Sequence, residues 1–413
     1  MMRNITGSAV IGSDFLKSRL SLVWELRKLA ADKSVIIEAP RRFGKTSVVK
    51  ELQHQQTKPI NNSAAFNILY LDLEDVETIE NFCLKLFIKI IELYHKKNWL
   101  SKITKLTGKI WDFIHSNFNK IRFSELEIEL RDKTKNMTFD EWTNNHLNPL
   151  INTLDTLDNI TLIVFDEFAD MIISLKKYTK NNDEYIANAD SVCSWLRALR
   201  QEASPQTKHH FLFCGSINIR HTLEHLRLSK TINDLEQFKI PPMNNKEALE
   251  LINALSSSYS LNINDNAINF IISKITDGPP YYGQIIIKAL RDEDTSKNFD
   301  LPLVKGIYNR MIKDDNNEIK HFHSRLNDCM TKQHRDISLQ ILQHLINNPL
   351  NENNLYYNHL TPPCNYEIFT SILSRLTYEG YITRDNNDNI KFLSPILRDW
   401  WAFKKGIRNR DRE

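Results

Sequence analysis

Glycine is scarce: ten residues in a chain of 413, against an average usage of about 7%. Gly44, Gly215 and Gly278, which fall inside motifs, are therefore poorly explained as loop filler. No apolar run approaches the ~20 residues of a membrane span, and the opening MMRNITGSAVIGSDF lacks an apolar core of signal-peptide length. A cytoplasmic protein with no membrane partner is expected. Charge of one sign is also missing. Lys+Arg number 54 against 51 Asp+Glu, a formal net charge of +3, so any nucleic-acid surface has to be a local patch. The five cysteines (Cys83, Cys193, Cys214, Cys329, Cys364) show no paired spacing, which argues against a disulfide framework or a zinc site and fits a reducing compartment.

What is present begins with Val35 to Val49, VIIEAPRRFGKTSVV. An apolar β-like run, Val35-Ile36-Ile37, leads into a polar turn, and Gly44-Lys45-Thr46 then opens a helix-like segment. Strand, turn and helix N-terminus in that order make a phosphate-binding loop over Ala39, Pro40, Arg41, Arg42, Phe43, Gly44, Lys45, Thr46 and Ser47. Backbone N–H groups of such a loop point inward at a triphosphate, and the helix dipole adds partial positive charge. Lys45 is expected to reach the β- and γ-phosphates of ATP, and the Thr46 hydroxyl to ligate Mg²⁺. Ala39 stands where the usual pattern has its first glycine; a residue this small allows the close turn if its φ stays negative. The competing reading is a basic helix start with a coincidental Gly-Lys-Thr.

Other elements follow in order. Asp14 to Ala31 reads as a helix, with Val10 to Ser13 before it either a lip over a nucleotide base or plain packing. Asn67 to Leu73 reads as a second buried strand, Val76 to Leu93 as an amphipathic helix, His95 to Lys120 as an irregular excursion, and Ile121 to Arg131 as an alternating edge strand. A helix is expected over Phe139 to Leu157. Leu162-Ile163-Val164-Phe165-Asp166-Glu167 is a third buried strand ending in two carboxylates. Asp166 is placed to hold the Mg²⁺ shell through water, and Glu167 to polarise the attacking water. A fourth strand, His210 to Ser216, ends in Ser216, where a γ-phosphate sensor sits in such ATPases. Arg197, Arg200 and Arg220 are candidates for a finger acting on a neighbouring subunit's nucleotide, with a salt bridge the competing reading for each.

From about Asn244 short helices without strands are expected, over Lys246 to Leu255, Asn264 to Ile275 and Tyr281 to Leu290. Between two of them lies the turn Asp277-Gly278-Pro279-Pro280-Tyr281, either a contact for the base or a plain connector. Helices over Ser338 to Ile346 and Tyr366 to Leu376, followed by strands Gly380 to Thr383 and Asn389 to Leu393, read as a winged helix with a basic, aromatic tail. Its basic residues Arg375, Arg384, Lys391, Arg398, Lys404, Lys405, Arg408 and Arg410 are candidates for contacts to DNA phosphates.

Taken together, APRRFGKTS, LIVFDEF, FCGSINI, Ile232 to Leu235, DGPPYYGQ, HFHSRL and FLSPILRDWW resemble a P-loop ATPase of the AAA+ and STAND group. More narrowly, they resemble the archaeal and bacterial ATPases related to the origin-recognition proteins. The resemblance implies an α/β P-loop NTPase core with a parallel sheet over residues 1–240, a helical lid over 241–330 and a C-terminal winged helix over 331–413. It also implies that Gly278 and Pro280 match the family's nucleotide-contacting Gly-x-Pro. Ala39 is a change this subfamily tolerates, while Ser216 replaces the family's Asn or Thr and leaves the hydrolysis rate open. The expected protein is a homo-oligomeric, ATP- and Mg²⁺-dependent switch acting on a DNA or protein effector in defence or signalling. The alternative is a DNA-binding module with structural ATP and little turnover.

Overall fold

The computed structural model describes residues 2–3, 7–56, 66–96, 111–112, 114, 123–135, 137–202, 204, 206–293, 298–313, 319, 326, 330–360 and 364–405. Arg408, Arg410, Cys329 and most of the excursion after His95 lie outside them. Two compact units result, one of Leu22–Glu38 with Val48–Lys239, the other of Met1–Ser21, Ala39–Ser47 and Ile240–Glu413.

The first unit is built on a five-stranded parallel sheet. Its strands are β1 (Val35–Glu38), β2 (Phe66–Asp72), β3 (Ile160–Asp166), β4 (His209–Phe213) and β5 (Glu236–Lys239), in the order β2-β3-β4-β1-β5. Strands covered on both faces need continuous apolar runs, and β1, β3 and β4 supply them. Helices Ile79–Lys96 and Asn182–Gln201 contribute Phe82, Phe87, Val192 and Leu196 to a core that includes Phe165 and Phe168. β5 is a strand the sequence did not signal: only Phe238 of its four residues is buried.

Three expectations need correction here. Residues Phe123–Thr134 form a helix rather than an edge strand, because Glu, Leu, Lys and Arg are strong helix formers and two-residue alternation over so short a stretch is ambiguous. The helix expected from Phe139 runs as Phe139–Trp142, a π turn Thr143–Leu147, and Asn148–Leu154. The Thr143 hydroxyl bonds back to the carbonyls of Phe139 and Asp140 at the junction, a bond that bends helices. The first long helix spans Leu20–Asp32, with two 3₁₀ turns, Gly12–Asp14 and Lys17–Arg19, before it.

The second unit is helical, through Asn245–Tyr259, Asp265–Ile275, Pro280–Asp292 and Leu301–Lys313. A capping box between Asn244 and Glu247 starts the first of these, and the Asn264 side chain caps the second. This region is not strandless as expected: β6 (Asn262–Ile263) pairs in parallel with β7 (Asn298–Phe299). Helices Lys332–His344, Glu352–His359 and Tyr366–Tyr378 then precede an antiparallel hairpin of β8 (Ile382–Arg384) and β9 (Ile390–Phe392), and Pro395–Lys404 closes the described chain. A further bridge joins Leu350 to Ile390. One hydrophobic core runs through the unit, from Leu251 and Ile286 to Phe369, Trp400 and Trp401. Among the described residues no helix is long and apolar enough to cross a membrane.

Candidate functional site

The phosphate-loop sequence follows β1 directly and ends at helix Lys45–His54. Ala39 keeps a negative φ, whereas Gly44 takes φ 92° and Arg42 takes φ 68°. The alanine therefore costs the turn nothing, and Gly44 occupies a conformation that a side chain would strain. A turn bond from Phe43 N to Pro40 O (3.4 Å) draws the loop in. The buried Lys45 ammonium donates to the carbonyls of Ala39 (2.6 Å) and Pro40 (3.0 Å), so it lies curled into the loop's own concavity. Thr46 and Ser47 occupy the first turn of the helix. Ser47 Oγ accepts from Val10 N at 3.2 Å, which gives the Val10 stretch a packing role against the loop.

Within the same unit the loop is joined to other segments that sequence reasoning did not connect to it. Arg19, 4% exposed, donates to Phe43 O at 3.3 Å and to Pro241 O, and pairs with Glu247 at 3.4 Å. Burial pulls its pKa down, and Glu247 opposes that pull. Pro40 packs against Gly380, where an added Cβ would lie 2.8 Å from the proline. Arg42 places its guanidinium carbon 3.8 Å from the centroid of the Tyr281 ring.

Tyr281 belongs to the Gly278-x-Pro280 turn. Asp277 takes φ 65°, Pro280 is the first residue of helix Pro280–Asp292, and the turn is tied to Met243 by bonds of 3.0 and 3.1 Å. Gly278 sits where a Cβ would approach Tyr282 Cδ2 at 2.8 Å and Ser394 Oγ at 3.2 Å. The expected loop and the expected Gly-x-Pro turn are thus in contact, through Arg42 and Tyr281.

In the other unit Asp166 ends β3 and Glu167 follows it at the cap of the next helix. Asp166, 3% exposed at the end of β3, accepts from the Tyr70 hydroxyl, from Cys214 Sγ at 3.1 Å and from Glu167 N at 3.2 Å. Tyr70 is a half-buried partner not foreseen from the sequence; burial, reinforced by Asp166, pushes its pKa up. Glu167 adopts the left-handed region at φ 57°, and its Oε2 accepts from Ser216 N at 2.6 Å. Gly215 permits this: an added Cβ would lie 3.1 Å from both Cα and Oε2 of Glu167. Ser216 therefore meets Glu167 through its backbone.

Arg200 does not project as a finger. Its side chain, 4% exposed, pairs with Asp234 at 2.6 Å and donates to Leu196 O at 3.0 Å. Burial raises the pKa of Asp234, but the Arg200 bond outweighs it and holds the carboxyl below its ordinary value. Arg220 pairs with Glu38, the last residue of β1. In the C-terminal region Arg384 binds Glu352 and Asp388, Lys391 pairs with Asp277, Arg398 contacts Asp399, and Lys404 lies over Trp400.

The oxygen donors foreseen for a metal, the Thr46 hydroxyl and the Asp166 carboxylate, are of the kind Mg²⁺ takes. With three protein donors already on Asp166, contact through water suits it better than direct ligation. Among the described residues no group of three or more His, Cys, Asp or Glu could hold a metal on its own.

A parallel sheet in this order, with the phosphate-loop sequence leaving β1 and Asp166 ending β3 just before Glu167, has the α/β fold of a P-loop NTPase core. The Walker-type ATPase of Pyrococcus abyssi superposes on it with a TM-score of 0.59, at 13% identity over 97% of this chain and 99% of that one. The Aeropyrum pernix ORC2 protein in its ADPNP-ADP complexes gives 0.49, at 11% identity over 95% of each chain. The Aeropyrum pernix ORC1 protein in complex with DNA gives 0.37, at 12% identity over 95% and 94%. At these identities the likeness is one of fold, and the first structure carries it. No protein-family model matches the sequence, and no curated protein matches it.

Proposed function

We propose that this protein is an ATP-binding and slowly ATP-hydrolysing switch that couples nucleotide state to self-association and to an effector. One observation carries the reading. The buried Asp166 and the braced Glu167 stand at the carboxyl edge of a parallel sheet, the edge at which β1 passes into the phosphate loop. Ligands of open α/β sheets bind at that edge.

Lys45 and the loop N–H groups hold the phosphates. Thr46 and Asp166 are the residues that would hold Mg²⁺, which when bound neutralises charge on the phosphate oxygens. Glu167 orients and deprotonates the attacking water, seated by its bond to Ser216 N–H, and Ser216 in place of an Asn or Thr sensor favours slow or partner-stimulated turnover. Residues 1–240 act as ATPase core, 241–330 as lid and 331–413 as a winged helix. Three helices followed by a hairpin support that last assignment. Arg384, Lys391, Arg398 and Lys404 make partly exposed ion pairs or a ring contact within their own unit, and the effector is DNA or a protein.

Calorimetric titration with Mg-ATP tests the reading. Wild type is expected to bind saturably, Lys45→Ala to lose binding, and Glu167→Gln to keep binding while turnover falls about 10²–10⁴-fold. A flat titration of folded wild-type protein, with or without effector, would refute it.

A further inference from the structure

Arg42 has a backbone that its side chain ought to avoid. A φ of 68° is the left-handed region, where a long L-residue is disfavoured and glycine is at home, and the neighbouring Gly44 shows that this loop uses glycine where φ is positive. The Arg42 side chain makes a contact that offsets this cost. Its Nε is buried and makes no hydrogen bond among the described residues, while its guanidinium lies 3.8 Å from the Tyr281 ring centroid. That is well inside the ~6 Å reach of a cation–π contact. Tyr281 cannot easily move away: it is 5% exposed, in the first turn of a helix that begins with Pro280 and is followed by the buried Tyr282. The strained residue of the loop is thus clamped to a ring fixed by the Gly278-x-Pro280 turn.

We infer that Arg42 and Tyr281 are paired positioning residues. Their stack holds the loop in the shape in which its N–H groups converge on phosphate, and it makes nucleoside-triphosphate affinity depend on the Gly-x-Pro turn. The inference rests on the nucleotide-binding reading above and deepens it. Neither side chain has to touch the reacting atoms, so the signature is a change in nucleotide affinity shared between the two positions.

A double-mutant cycle on the full chain reads this out as the Kd for Mg-ATP, with the melting temperature of nucleotide-free protein recorded beside it. Arg42→Ala and Tyr281→Leu are each expected to weaken binding about five- to thirtyfold, and the double variant no more than either alone. Tyr281→Phe, which keeps the ring, should bind within about twofold of wild type. Arg42→Gly separates the stack from the backbone: it relieves the positive φ but removes the guanidinium, and is expected to bind as weakly as Arg42→Ala. Wild-type affinity in Arg42→Gly, or additive losses in the cycle, would overturn the inference. If Tyr281→Leu does not fold, the comparison of Arg42→Gly with Arg42→Ala and wild type decides alone. Failure of wild type itself to bind would instead strike at the nucleotide-binding reading.

Discussion

Substituting alanine for Gly215 should separate nucleotide binding from hydrolysis. The added Cβ would sit 3.1 Å from both Cα and Oε2 of Glu167, and 3.5 Å from its N. Contacts this short force a shift of a few tenths of an ångström, and the neighbourhood decides which atoms give. The backbone is braced on both sides, by Cys214 N to Phe165 O at 3.0 Å and Phe168 N to Cys214 O at 3.3 Å. Glu167 is itself confined to φ 57°, so its carboxylate is the part able to move, away from Ser216 N–H. Overpacking of this kind costs about 1–3 kcal/mol of stability. Since a misplacement of about 1 Å can lower a rate by ~10², a shift of tenths of an ångström should lower kcat by about tenfold. The phosphate loop is untouched by the substitution, so the Kd for Mg-ATP should hold within about twofold. Phosphate release at saturating nucleotide, measured beside a calorimetric Kd and a melting curve, checks this. Wild-type kcat in a variant that is measurably destabilised would refute the idea that turnover depends on how Glu167 is seated.

Two further perturbations test the packing within each unit. Asp399, 2% exposed, accepts from Lys274 Nζ at 2.8 Å and Tyr308 OH at 3.0 Å; Asp399→Ala removes both bonds and should cost about 3–4 kcal/mol, the lower part of the range for a broken buried pair, because the Lys274 side chain is still 20% exposed. Urea unfolding measures it, and a loss under about 1 kcal/mol would contradict the estimate. Acid should destabilise in two windows. Burial lowers the pKa of His146 and of His210, so the unfolded chain binds protons that the folded one refuses once pH falls through about 6.5, and stability drops from there towards the depressed folded values. His146→Phe, placed among the rings of Phe87, Trp111 and Trp142, should flatten the dependence of the urea midpoint between pH 7.5 and 5.5. The second window opens below about 3.9. Burial there would raise the pKa of Asp155, but bonds from His209 and Lys208 N carry it below the ordinary value, so its stabilisation is lost only as pH falls through that lower folded value.

The fold was most legible where both faces of a strand are covered. Val35 to Ile37, Leu162 to Phe165 and Phe211 to Phe213 announce themselves because an interior parallel strand has no polar face to interrupt the run. Edge and short elements obey weaker rules. β5 needs only Phe238 on the core side, and the two-residue pair β6–β7 is set by the helices that bring it together. Residues 121–131 misled because two-residue alternation competed with helix-forming composition over a window too short to decide.

The site divides along the same line. Its motifs are local in the chain: a loop that must turn within six residues, or a strand that must end in carboxylates, writes its constraint into neighbouring positions. The contacts that set those motifs are not local. Tyr70 reaches Asp166, Arg19 reaches Phe43 and Glu247, Arg42 reaches Tyr281, and Pro40 meets Gly380; no spacing rule joins such pairs. Arg19 alone left a trace, as a cation followed at helical spacing by Val23 and Leu26, both buried, where a solvent-facing residue would be out of step. Arg200 shows the converse. Its position before the fourth strand suits a finger, but Asp234 and two backbone carbonyls take up its guanidinium. Chemistry at a distance needs a side chain with unspent donors, and a single sequence records which groups exist without recording which are already bound.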